Sequence, residues 1–130
     1  MTNIKAGLIK GQEELLNGAN ARADAHKIIL LLTDGKSTKG CNKTPKDQCA
    51  INMANDMKGK GVTVYAVGFA NAKEETLDAI ASSPASTFSY HSPDIDGIIE
   101  HTETLAESTC VRIFGLCVAH HECAVPPQHA

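Results

Sequence analysis

Apolar positions along the chain switch between two spacings. Ile4, Leu8 and Leu15, with Ile9 and Leu16 beside them, fall on one stripe of a helix over residues 3–17, and Asn17-Gly18 supplies its stop. Ile28–Leu32 is then a continuous apolar run between polar turns, the pattern of a strand buried on both faces. Ala50, Met53, Ala54 and Met57 return to i, i+3, i+4, i+7 spacing and predict a helix over 48–58, ended by Gly59-Lys60-Gly61. Residues 62–70, VTVYAVGFA, are rich in strand formers and predict a second buried strand. Residues 73–82 read as a short helix with Leu77, Ile80 and Ala81 inward, and residues 87–91, TFSYH, as a third strand. Ser92-Pro93 opens a last helix, because the hydroxyl can cap and the proline fits a first turn. Ile95, Ile98, Ile99, Thr102, Leu105 and Ala106 are its expected inner face.

This alternation of helix and strand predicts an α/β fold: a doubly wound, mostly parallel sheet with helices on both faces and right-handed crossovers. Three strands and about four helices make the sheet incomplete. Ligands of such sheets bind outside the carboxyl ends of the strands, and Asp34 stands just past the first of those ends. The expected division is a domain over 1–110 and a cysteine- and histidine-containing tail or linker over 111–130, which shows no clear period.

Composition narrows the class. A chain of 130 residues holds one core, and with no Trp, two Tyr and three Phe that core must be aliphatic. A net charge of −3 gives no basic footprint for nucleic acid, and the five-residue run Ile28–Leu32 is too short to span a bilayer. The start, MTNIKAGLIKG, lacks the apolar core of a signal peptide. Five cysteines point instead to an oxidising, extracellular setting with disulfides. Cys41 and Cys49 bracket a polar loop and could be stapled across it. Cys110, Cys117 and Cys123 are further candidates, and the odd count leaves one thiol for a partner outside the chain or for none. Asn42-Lys43-Thr44 has the N-glycosylation pattern, with Pro45 following it.

The segment Ile28–Thr38, IILLLTDGKST, carries the most chemistry. Its GKST end resembles a phosphate loop, but the first glycine such a loop needs would fall at Leu30, inside the strand, so the lysine and hydroxyls read as solvated loop residues rather than a nucleotide site. Thr33, Asp34, Ser37 and Thr38 offer oxygens of the kind a hard divalent cation takes; the competing reading is a plain strand-ending turn. Cys117-x-x-His120 with His121 and Cys123 lacks the two spaced ligand pairs of a structural zinc site. No G-x-S-x-G serine is present, and His26 lies at the opposite end of the strand from Asp34.

TNIKAGL before an amphipathic helix, then KIILLLTDGKS, then AINMANDMKGKGVTVYAVGFANAKEETLDAIAS, together resemble the von Willebrand factor A domain, of the integrin I-like kind, over Thr2 to about Cys110. That resemblance implies a magnesium (or manganese) site at the switch point of the sheet, completed by an acidic side chain of a protein ligand. It implies Thr2 and Asp34 as metal ligands, and Gly35, Lys36, Ser37 and Thr38 as the rim a partner touches. The D-x-S-x-S loop that supplies the other ligands in the family is not in this chain. What matches is the C-terminal half to two-thirds of the fold, so metal binding is expected to be weak or absent. The apolar edge of the first strand is expected to be open and able to self-associate.

The reading is thus an extracellular, non-enzymatic adhesion module that binds a matrix or cell-surface protein. It binds no nucleic acid and does not insert into membranes. The alternatives are a metal-independent structural or interaction domain and a small α/β enzyme using Asp34.

Overall fold

The computed structural model describes residues 1–42 and 45–114. Its order is α1 (Ile4–Asn17), β1 (Ile28–Thr33), α2 (Lys46–Gly59), β2 (Thr63–Phe69), α3 (Glu74–Ile80), α4 (Ala85–Phe88), β3 (Ser89–Ser92) and α5 (Ile95–Phe114). The three strands form one parallel sheet in the order β1-β2-β3. The sequence therefore places every strand and the four longer helices, within a few residues at their ends.

The register sorts side chains onto two faces, since opposed residues of neighbouring strands point the same way. Ile29 lies against Val64 and Leu31 against Ala66; this face is roofed by α1, α2 and α3. Ile29 reaches within van der Waals distance of α1 at Gly11, and Leu77 of α3 presses on the bare backbone of Gly68. Ile4, Leu8, Ala50, Ala54, Met57, Leu77 and Ile80 are all buried there. The Lys58 ammonium crosses from α2 to the carboxyl end of α3, where it donates to the carbonyls of Ala79 (3.1 Å) and Ala81 (3.0 Å). Those orphan carbonyls are thereby capped, and burial holds the Lys58 pKa below that of an ordinary lysine.

The other face carries Leu30, Leu32, Tyr65, Val67 and Tyr90. Phe88 meets Tyr65 edge to face at 4.8 Å between ring centroids. Helix α5 packs over β2 and β3, and the Tyr90 hydroxyl donates to the Gly97 carbonyl at 3.2 Å. Nothing among the described residues covers β1 here: Leu30 is 57% and Leu32 55% exposed.

Four expectations are corrected. Thr87 and Phe88 are not strand but belong to the one-turn helix α4, where Phe88 gains the Tyr65 contact. Helix α5 starts at Ile95 with Asp94, not Ser92, at its cap: the Asp94 carboxylate accepts from the Gly97 N–H at 3.1 Å, while Ser92 accepts from the Asp94 N–H. The inner face assigned to α5 is not buried as a whole; Ile95, Ile99, Thr102 and Ala106 are exposed, because among the described residues the helix packs chiefly over β2 and β3. Helix α5 also runs on through Val111 to Phe114, into the segment read as a tail or linker without a clear period. Cys117, His120, His121, Cys123 and His129 lie outside the described residues.

Candidate functional site

The loop that leaves β1 is held against the start of α1. Asn3 caps that helix, its side-chain oxygen accepting from the Ala6 N–H at 3.0 Å. Thr2, one residue earlier, is clasped by the loop that leaves β1. Its carbonyl accepts from the N–H groups of Thr38 (2.8 Å) and Lys39 (3.1 Å). Its own N–H donates to the Thr38 hydroxyl at 2.9 Å, which in turn donates to the Thr2 carbonyl at 3.1 Å. Gly40 (φ +134°) folds the loop back over the helix start, where a side chain would meet Asn3 and Lys5 at 3.3 Å. Beyond it, Cys41 and Cys49 are joined in a disulfide that ties the loop to the first turn of α2.

This clasp sets Thr2 beside the strand end. A Cβ on Gly35 would lie 3.4 Å from the Thr2 hydroxyl oxygen, so the residue following Asp34 and the threonine share one spot although more than thirty positions separate them in sequence. Asp34 itself is exposed. Its carbonyl accepts from the Asn71 N–H at 3.1 Å, which links the β1 and β2 exits. The turn carrying Asn71 is strained, since Ala70 holds φ 53° without being glycine. Neither Asn71 nor the clasp was foreseen, because both depend on contacts between segments far apart in sequence.

The rim is smaller than expected. Lys36, Thr38 and Lys39 are exposed and Gly35 half-buried. Ser37 is not on the rim surface: it is 6% exposed and its hydroxyl donates to the Lys39 carbonyl at 2.9 Å. Serine here builds the loop that presents its neighbours. Asn42, the glycosylation candidate, is exposed; Lys43 and Thr44 are outside the described residues.

A family model, the von Willebrand factor type A domain, matches residues 1–104. The chain belongs to the von Willebrand factor A family. It is 31% identical over 115 residues to the rabbit (Oryctolagus cuniculus) collagen α-1(XII) chain, covering 88% of this chain and 16% of that one. It is also 31% identical over 93 residues to mouse (Mus musculus) matrilin-1, covering 72% of this chain and 17% of that one. The chain thus spans about a sixth of the length of these matrix relatives. Among solved structures it matches proximal thread matrix protein 1 of the mussel byssus with a TM-score of 0.69 and 25% identity, over 85% of this chain and 26% of that one. A second structure of the same mussel protein, described as having a zinc-occupied MIDAS motif, matches in fold at a TM-score of 0.65 and 24% identity.

That family implies a divalent ion at the strand ends, and the residues present do not fit one. Among the described residues no three of His, Cys, Asp or Glu gather anywhere. At the rim, Asp34 is the carboxylate, while Thr33 and Ser37 are buried, with their hydroxyls turned onto the carbonyls of Gly35 and Lys39 inside the loop. Thr2 and Asp34 are two side chains with three oxygens between them, against the six or so a hard cation takes. Lys36 and Lys39, exposed in the same loop, add positive charge that works against a cation.

Proposed function

We propose that this von Willebrand factor A chain is an extracellular, non-enzymatic protein-binding module of the matrix type, and that its contact face is the rim at the carboxyl ends of β1 and β2. The observation that carries this reading is the clasp between Thr2 and Thr38-Lys39. It fixes the β1 exit loop in one conformation, so that Lys36, Thr38 and Lys39 are presented by a pre-organised surface. A partner offering an acidic side chain meets the ammonium groups of Lys36 and Lys39 directly, as charge-assisted hydrogen bonds. Asp34 sits at the border of this surface and selects against acidic groups placed too close to it. The matrix relatives support an extracellular setting and a protein partner, and the disulfide between Cys41 and Cys49 is of the kind that persists there.

The test is binding to a panel of purified matrix proteins by surface plasmon resonance, in chelator and again in excess magnesium. Binding in chelator, lost in Lys36→Glu/Lys39→Glu and kept in Asp34→Ala, is the expected result. Binding that needs magnesium and vanishes in Asp34→Ala overturns it in favour of a metal-dependent site. Binding indifferent to all three substitutions moves the contact face elsewhere.

A further inference from the structure

We infer that Asn17 is a site of spontaneous deamidation, in which the backbone nitrogen of Gly18 displaces the side-chain amide and leaves an aspartyl or isoaspartyl residue at position 17. Three pairs in the chain join an Asn or Asp to glycine, the context in which no side chain obstructs ring closure: Asn17-Gly18, Asp34-Gly35 and Asp96-Gly97. The structure separates them. Gly97 lies inside the first turn of α5, and its N–H is held by the Asp94 carboxylate at 3.1 Å. Gly35 lies in the clasped loop, beside the Thr2 hydroxyl. Both also follow a carboxylate, which already carries the negative charge that an incoming nucleophile would add. Asn17 offers a neutral amide instead, and it is exposed to water.

Its place in the fold loosens the backbone where the ring must close. Asn17 is the last residue of α1, and its carbonyl is among the four that a helix end leaves without an intrahelical partner. Gly18 has already left the helix, with φ −64° and ψ 160°. The Gly18 N–H is tied back to the Glu14 carbonyl at 3.2 Å, and as a terminal bond of the helix it is among the first to open. Glycine is required here: a Cβ would lie 2.5 Å from the Glu14 carbonyl oxygen and 2.9 Å from its carboxylate. The reactive pair is therefore built into the end of the helix.

Water is the only co-reactant. Gly18 N gives its proton to solvent and attacks Asn17 Cγ. The new N–Cγ bond closes a succinimide ring, the Cγ–Nδ2 bond breaks, and ammonia leaves with a proton returned by solvent. One water then opens the ring. Breaking the N–Cγ bond restores the backbone with an aspartyl side chain. Breaking the bond from N to the Asn17 carbonyl carbon leaves the chain running through Cβ and Cγ, as isoaspartate. Either product adds one negative charge to a chain of net charge −3, at a helix C-terminus and within a turn of Glu13 and Glu14. The helix dipole and the like charges both oppose it, and the isoaspartyl form also lengthens the backbone between α1 and Gly18. The last turn of α1, which packs Leu15 against the core, is loosened. Thr2 and Asn3, at the other end of the helix, are spared.

The test is incubation of the full chain at body temperature and mildly alkaline pH, followed by tryptic peptide mapping with mass spectrometry. The peptide from Gly11 to Arg22 reports on position 17. It should convert ahead of every peptide carrying another asparagine, with an acidic shift of the whole chain in isoelectric focusing. Asn17→Gln, which would have to close a larger ring, should lose that shift and keep the parental melting temperature. The converted chain, separated by anion exchange, should melt at a lower temperature than the unconverted one. A native chain that keeps Asn17 intact while the synthetic peptide Gly11–Arg22 converts overturns the proposal, because the fold then protects what the sequence allows. Earlier conversion at another asparagine overturns it too, as does a converted chain with an unchanged melting temperature.

Discussion

Strands β1 and β2 are written in nearly the same apolar alphabet and meet different fates. From Val64 to Gly68 every residue of β2 is buried, whereas β1 leaves Leu30 and Leu32 more than half exposed. The cause lies outside both strands. Among the described residues, β2 has a strand on each side and helices on both faces, while β1 has β2 on one side and α1 on one face. Helices α3 and α5 repeat the contrast, with Leu77 and Ile80 buried in the first and Ile95 and Ile99 exposed in the second. An apolar run states what a segment is able to bury. Whether it does so depends on neighbours the run does not encode.

The largest effect should separate the two sides directly. Leu77→Ala should cost about 3 kcal/mol, because the side chain fills the space over Gly68 and leaves a cavity when cut back. Leu32→Ala should cost far less, under about 0.5 kcal/mol, since more than half of that residue stays in water and cutting it back leaves no enclosed cavity. Urea denaturation of both variants decides it. Equal costs would break the comparison and show that the outer face of β1 is covered in solution.

The disulfide should come next. In Cys41→Ser/Cys49→Ser, opening a loop this short removes roughly 2.5 kcal/mol if the unfolded-chain entropy account holds. The loss should be uneven. Amide hydrogen exchange at Thr38 and Lys39, which hold Thr2, should speed up more than at Val64 and Ala66 in the centre of the sheet. Equal acceleration everywhere would mean that the loop and the buried strand open as one unit.

How much of this was legible follows the same line. The helices and strands of the roofed side could be read because period and burial agree there: Ala50, Ala54 and Met57 are spaced for one face and all three are buried. The open side misled, since Ile95, Ile98, Ile99 and Thr102 have equally good helical spacing but α5 has too little sheet beneath it. Phe88 looked like strand by composition and is helical because its ring is taken by Tyr65. At the candidate site, Asp34 was legible from its place after an apolar run, and Thr2 from the family resemblance. The link from Asp34 to Asn71 was not, because it is a backbone contact that any side chain could accompany, nor was the burial of Ser37, whose hydroxyl meets the Lys39 carbonyl only once the loop has folded.

The smallest effect tests how loosely the open side is held. The His101 ring stacks on Tyr90 at 3.7 Å, with the planes 10° apart. Burial against that ring disfavours the imidazolium, so the His101 pKa is lowered from its ordinary value. The sign follows from proton counting. Below a pH of about 6.5 the unfolded chain takes up a proton that the folded chain resists, so stability present above that value declines as pH falls toward the lower folded pKa. His101→Gln keeps a planar group on Tyr90 and removes the titration. The midpoint of thermal unfolding should therefore fall more between neutral and mildly acidic pH in the parent than in this variant, and by a small margin, because α5 is solvated on most sides. An equal decline in both would assign the pH dependence to other groups. A large difference would mean that α5 is held far more tightly than its exposed isoleucines indicate.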